Sequence, residues 1–199
     1  EMADIAEESV SFLLTDEIYG RLTYDVKHHS PTARDGCMDR TILLDGFSKA
    51  YAMTGWRLGY CVGPKDVIAK MALLLETTVS CTASFVQKGG VAALNGPQEA
   101  VDAMKEEFRK RRDAIVTGLN SVPNVSCVVP DGAFYAFPNI TKTGMTSEQF
   151  AEHLLNDLGI AALPGTAFGP GGEGYVRFSY ATSLDSIEKA IARMKQDRM

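Results

Sequence analysis

Two cations stand eight positions apart in the stretch Gly46, Phe47, Ser48, Lys49, Ala50 to Arg57, directly after a run of apolar residues. A lysine that is to act as a nucleophile must shed its proton, which a neighbouring cation and partial burial both favour. An arginine keeps its charge and can grip a phosphate with two parallel hydrogen bonds. The pair therefore suits a nucleophile beside an anion grip, and equally two surface cations; charge alone does not separate the readings. Three further residues have the right chemistry for a site. Asp16 ends an apolar run, Tyr19 follows three positions later, and Arg177 lies between Val176 and Phe178. Taken singly, they read as a turn or N-cap residue, a core or surface tyrosine, and an edge-strand cation.

The elements that must position these residues alternate. Met2, Ile5 and Ala6 form the end of an amphipathic helix, and Val10 to Leu14 a short buried strand leading to Thr15 and Asp16. A start on the tail of a helix leads us to expect a larger N-terminal part carrying earlier elements of the same sheet. Buried strands are expected at Thr41–Leu44 and Leu58–Val62, then helices over about 66–76, with Met71, Leu74 and Leu75 on the core face, and about 84–94. Alternation of this kind predicts an α/β sheet covered by helices, with ligands gathered beyond the carboxyl ends of the strands. Asn95, Gly96 and Pro97 are the clearest punctuation, and a long helix follows to about Asn120, with Val101, Met104, Phe108, Ile115 and Leu119 on its apolar face.

Beyond it the pattern predicts short strands at 125–129, 133–137, 160–163 and 175–179. A helix should follow a capping box at Thr146 and Gln149 and end near Gly159, and a last helix from N-cap Ser183 should bury Ile187, Ile191 and Met194. The final eighty or so residues thus read as a compact α+β module.

Composition narrows the function. Of 199 residues 45% are hydrophobic and 23% charged, as in ordinary globular proteins, and the net charge is −5. The one basic run, Arg109 to Arg112, falls within helical periodicity and reads as a solvated helix face, so nucleic acid is not an expected partner. Cys37, Cys61, Cys81 and Cys127 lie far apart without a Cys-x-x-Cys pair, which argues against zinc and a disulfide framework and makes a reducing cytoplasm the default. His28, His29 and His153 are expected at solvated positions, and no metal site is predicted. Apolar runs are too short for a membrane span.

Motifs settle what charge does not. Ser48, Lys49 and the run Tyr51 to Tyr60 closely resemble the cofactor-lysine motif of class I aminotransferases, fold-type I enzymes dependent on pyridoxal 5'-phosphate (PLP). Asp16-Glu17-Ile18-Tyr19 resembles the family's strand-end motif, and Pro130, Gly132, Ala133, Phe134 and Tyr135 its small-domain hairpin. The stretches Pro164 to Gly169 and Tyr175 to Ser179 are similar to the region bearing its substrate-binding arginine. The resemblance implies that residues 1–96 are the C-terminal part of a large PLP-binding domain with a mixed, mainly parallel sheet. It makes residues 97–199 an interdomain helix and a small α+β C-terminal domain. It implies that Lys49 links to PLP as an aldimine and then moves the substrate proton. Asp16 would hold the pyridine nitrogen protonated within a buried site, and Tyr19 would bond the phenolate oxygen. Arg57 and, as a second donor, Ser48 would hold the phosphate, and Arg177 would fork onto the carboxylate of the substrate.

The substrates would be an amino acid and a 2-oxo acid, and the full-length protein a homodimer. Ser80, Thr82 and Ser84 resemble a segment that reaches the neighbouring subunit's phosphate; helix capping is the equal alternative. Ala52 to Trp56 resembles the aspartate aminotransferase branch. A fold-type I lyase or synthase shares this apparatus, and an aminotransferase-like regulatory domain that only binds PLP is the further alternative. The family's phosphate loop, stacking aromatic and phenolate asparagine belong to an N-terminal half not found here, so the chain alone is expected to be inactive.

Overall fold

The computed structural model describes residues 2–34 and 36–197, which fall into two compact units, one ending at Asp102 and the other beginning at Ala103. The first contains α1 (Met2–Glu8), β1 (Leu13–Asp16), β2 (Thr41–Gly46), β3 (Gly59–Val62), α2 (Lys65–Thr78) and α3 (Ser84–Asn95). The strands form one mixed sheet in the order β1-β2-β3. β1 runs parallel to β2, with Asp16 opposite Leu44, and β3 returns antiparallel, with Gly59 opposite Gly46. Two consequences for position follow. The carboxyl ends of β1 and β2 lie at the same edge, and the loop from β2 to β3 begins and ends there. That loop is pinned at its neck, where Phe47 N donates to Leu58 O at 3.1 Å. α3 approaches it at two glycines: a Cβ at Gly89 would lie 2.5 Å from the Trp56 ring, and one at Gly90 2.5 Å from Leu58 Cδ2. Phe47, Ala50 and Met53 are buried in the same place.

The expectation that β1, β3 and the apolar face of α2 are buried is overturned. Phe12, Leu14, Leu74 and Leu75 are each more than half exposed, and Tyr60 and Val62 are exposed as well. Strand and helix fall near where local periodicity put them, except that residues 10–12 turn back onto α1, with Val10 N donating to Glu7 O and Ser11 N to Ala6 O, and leave β1 to Leu13–Asp16; burial, however, needs a second surface, and none of the described residues covers these faces.

α4 (Glu99–Leu119) begins in the first unit and continues into the second, which also holds β4 (Tyr135–Ala136), α5 (Ser147–Asn156), β5 (Leu163–Pro164), β6 (Val176–Ser179) and α6 (Leu184–Gln196). Its three short strands are antiparallel in the order β4-β6-β5. Leu119, Ile140, Phe150, Leu154, Val176, Tyr180 and Met194 are fully buried and make the core of this unit. The capping box is present in full: Thr146 accepts from Gln149 N, and Gln149 Oε1 accepts from Thr146 N. Ser183 caps α6 by accepting from Ser186 N at 3.1 Å. α5 ends at Asn156 with Asp157 as C-cap, two residues before Gly159. Gly159 takes φ of +64°, so that Ile160 N reaches back to Leu154 O at 2.8 Å.

Three predicted strands shrink, the one expected at 133–137 to Tyr135–Ala136. Over 125–129 only Ser126 bridges, to Asn139, because the Asn120 side chain takes both backbone groups of Cys127, at 2.8 and 2.9 Å. Over 160–163 only Leu163 pairs, since Ile160 is used in the turn after α5. The basic run also divides. Arg109, Lys110 and Arg111 pair along the helix with Glu106 and Glu107, whereas Arg112 is 4% exposed. It bonds Asp113 Oδ1 at 2.8 and 2.9 Å and the Pro130 carbonyl at 3.4 Å. A buried guanidinium needs such acceptors, and this one ties α4 to the loop after residue 129.

Candidate active site

The sheet edge collects the candidate residues of the first unit. Asp16 is the last residue of β1; its Oδ1 accepts from Ile18 N at 3.1 Å, which turns the chain so that Tyr19 follows at the same edge. Ser48 and Lys49 follow the end of β2, and Arg57 precedes β3 by two residues, across the pinned neck. Lys49 Nζ lies 5.8 Å from the centroid of the Tyr19 ring. Lys49, Ser48 and Tyr19 are half-buried. Arg57 adopts a left-handed conformation, φ +51° and ψ +45°, unusual for a side chain with a Cβ, and Nη1 donates to Thr54 O at 3.1 Å. That bond folds the 54–57 turn upon itself and keeps the rest of the exposed guanidinium available to an anion. Asp16 is exposed, which corrects the expectation of a buried carboxylate: burial there requires a ligand or further chain over the edge.

Sequence reasoning missed a ring of supports around this loop. Arg21 Nη1 donates to Tyr51 Oη at 2.5 Å and to Gln98 Oε1 at 2.7 Å, and its guanidinium lies 5.3 Å from the Tyr51 ring, which packs on Phe47. Tyr60 faces Asp45 across the strands and donates to Oδ2 at 2.8 Å; partial burial and then this carboxylate push its phenol up to about 12. Both sets join residues far apart in sequence, Asp45 with Tyr60 through the sheet register and Arg21 with Tyr51 and Gln98 through the packing of loops.

In the second unit Arg177, on β6 opposite Leu163, is held between two rings. Its guanidinium carbon is 4.4 Å from the centroids of both Tyr135 and Phe168. Two rings this close restrain the guanidinium by cation–π attraction. The motifs containing Tyr135 and Phe168 were visible in the sequence, but the sandwich was not.

Other expectations fail. α3 has Ala83 as its N-cap and no side-chain cap, so capping is not the role of Ser80, Thr82 or Ser84. His28 and His29 are exposed as expected, and His28 Nε2 in addition lies 2.7 Å from the buried carboxylate of Glu17. His153 is 23% exposed and bonds Asp157 at 2.6 Å and Asp197 through its other nitrogen; hydrogen bonding to Asp197, and then to Asp157, raises its pKa above the ordinary histidine value against the effect of burial. Among the described residues no group of three or more His, Cys, Asp or Glu could hold a metal, and no helix is long and apolar enough to cross a membrane.

The amine of Lys49, the phenol of Tyr19, the carboxylate of Asp16, the guanidinium of Arg57 and the hydroxyl of Ser48 thus all lie at or next to strand ends on one edge of a mixed sheet. The model of the family "Aminotransferase class I and II" matches residues 1–194, and the chain belongs to that family. It is 44% identical to a putative aminotransferase of Bacillus subtilis and 44% identical to an aspartate aminotransferase of Pyrococcus horikoshii, in each case over 98% of this chain and 50% of the relative. Among solved structures, the aromatic aminotransferase of Pyrococcus horikoshii superposes with a TM-score of 0.95 at 40% identity, over 98% of this chain and 53% of that one. The chain spans about half the length of the curated relatives it matches.

Proposed function

We propose that this chain is the part of a PLP-dependent aminotransferase that carries the cofactor lysine and the substrate-carboxylate arginine, acting on an amino acid and a 2-oxo acid. The observation that carries the reading is the convergence of Lys49, Tyr19, Asp16, Ser48 and Arg57 on one sheet edge, with Lys49 and Tyr19 in contact range. The donor set fits the cofactor. Lys49 supplies an amine for its aldehyde, Asp16 a carboxylate for its ring nitrogen, Tyr19 a phenol for its ring oxygen, and Arg57 with Ser48 donors for its phosphate.

Bound there, the cofactor supplies an electron sink for breaking bonds at the substrate Cα. Asp16 holds a proton on the ring nitrogen, without which the sink is weak. Tyr19 would donate to the ring oxygen from a position 5.8 Å, ring centroid to Nζ, from Lys49. Lys49 would accept the Cα proton and return it, the general acid–base task of a positioned amine. Arg177, stiffened by its two rings, forks onto the α-carboxylate, a bidentate grip that a lysine cannot copy. The reading carries with it a domain division before the long helix, at 96/97. It also carries a homodimer, in keeping with Ser80, Thr82 and Ser84, whose side chains do not cap α3, and a cytoplasmic location, in keeping with four free cysteines.

The test is reductive trapping. The chain is incubated with PLP, reduced with borohydride and mapped by peptide mass; the pyridoxyl group is expected on Lys49, and Lys49→Ala should abolish it. Label concentrated on another lysine would overturn the assignment.

A further inference from the structure

Glu17 stands next to Asp16 and is 8% exposed, yet no role above uses its carboxylate. Its Oε2 meets His28 Nε2 at 2.7 Å, and its Oε1 accepts from Ser30 Oγ at 2.6 Å and from Thr15 Oγ1 at 3.4 Å. Ser30 is itself held by Thr32, hydroxyl to hydroxyl at 2.7 Å. A carboxylate withdrawn from water requires donors of this kind, and a chain that spends three on one side chain fixes whatever that side chain is attached to.

What it is attached to is the turn carrying Tyr19. Gly20 N donates to Glu17 O at 2.7 Å and Leu22 N to Tyr19 O at 2.8 Å, and Leu22 is fully buried, so residues 17–22 form a tight turn anchored at its far end. The His28 ring lies against the middle of that turn: a Cβ on Gly20 would sit 3.1 Å from His28 Cδ2 and 3.4 Å from Nε2. The imidazole, 37% exposed, thus meets the turn along one ring edge, by its hydrogen bond to Glu17 and by its closeness to Gly20. The sheet does not depend on this grip, because Glu17 N donates to Leu44 O through the backbone at 2.8 Å.

We propose that Glu17 and His28 are positioning residues that hold the 17–22 turn so that the Tyr19 phenol stays beside the Lys49 amine. The inference rests on Lys49 being the residue that carries the cofactor. Loosening the pair would leave β1 paired and Asp16 in place while freeing Tyr19.

The chain labelled with 3-fluorotyrosine offers a direct readout, with the Tyr19 resonance assigned by its loss in Tyr19→Phe. In Glu17→Gln and His28→Ala the Tyr19 signal should shift or broaden, while those of Tyr60, Tyr135 and Tyr175 stay in place; His28→Gln, which keeps a donor, should restore it. The borohydride-trapped yield at Lys49 should fall several-fold in His28→Ala, and His28→Ala should add no further loss in a Tyr19→Phe background. An unmoved Tyr19 resonance in both variants, or an equal loss of trapping with and without the Tyr19 hydroxyl, would overturn the proposal. If the unaltered chain is not trapped at Lys49 at all, the cofactor reading falls, and the fluorine signal still decides whether Glu17 and His28 hold Tyr19.

Discussion

Replacing Gly165 with alanine should be among the most damaging single-methyl additions this protein can receive. A Cβ there would lie 2.0 Å from Gly172 O and 2.7 Å from Tyr175 O, whereas ordinary contact begins at 3.4 Å. Both neighbours are backbone, so no rotamer change relieves the overlap, and the segment from Gly165 to Gly172 must move by more than an ångström. Overpacking of a well-packed site costs about 1–3 kcal/mol, and a clash that only backbone can relieve belongs at or above the upper end. Gly118 provides the internal comparison. A Cβ there meets only side-chain atoms of Ile191, at 2.5 to 3.1 Å, and Gly118 lies inside α4. Alanine at that position gains about 1 kcal/mol of helix propensity against a clash that Ile191 can partly relieve, for a net cost of about 1 kcal/mol. Gly165→Ala should therefore cost at least about 2 kcal/mol more than Gly118→Ala. Urea unfolding followed by far-ultraviolet circular dichroism, with hydrogen exchange of α5 and α6 to isolate the second unit, measures both. Gly165→Ala should also disturb the Arg177 sandwich, since Phe168 rides on the displaced segment. A cost at Gly165 equal to or below that at Gly118 would refute the reasoning.

Three further outcomes are expected. Ser147 is fully buried and its Oγ accepts from Gly174 N at 2.9 Å and from Tyr175 N at 3.3 Å, so Ser147→Ala should cost about 1–3 kcal/mol and speed exchange of those two amides, measured by urea titration and hydrogen exchange. Absorbance titration should place one tyrosine near 12, absent in Tyr60→Phe. Asp45→Asn should lower it only in part, since burial is the larger cause, and the stability this phenol contributes is present below the ordinary tyrosine value near 10 and lost as pH rises through about 12. Because the folded-state pKa of His153 is raised, its bonds to Asp197 and Asp157 contribute stability in full below the ordinary histidine value near 6.5 and lose it as pH rises through the folded value; urea midpoints of His153→Gln should lack that neutral-range decline.

The sequence by itself determined the local elements and the chemistry. Period-two and period-3.6 patterns placed six helices and the strands β1, β2, β3 and β6, since these depend on residues within a few positions of each other. The Ser48–Lys49–Arg57 spacing and the Asp16-Glu17-Ile18-Tyr19 run pointed to the family that the comparison then showed, because such motifs are read along the chain. Tertiary structure alone decided what required a partner distant in sequence. The parallel pairing of β1 with β2 brings Asp16 to the edge where Lys49 stands, the two rings near Arg177 come from residues 42 before and 9 before it in the chain, Arg112 is buried with a bond to the Pro130 carbonyl where periodicity suggested solvent, and the buried Glu17 carboxylate meets His28. Burial was the property least legible: the apolar faces of β1, β3 and α2 are written in the sequence, but whether a face is covered depends on what surface is brought against it, and a one-dimensional pattern states only that a cover is called for.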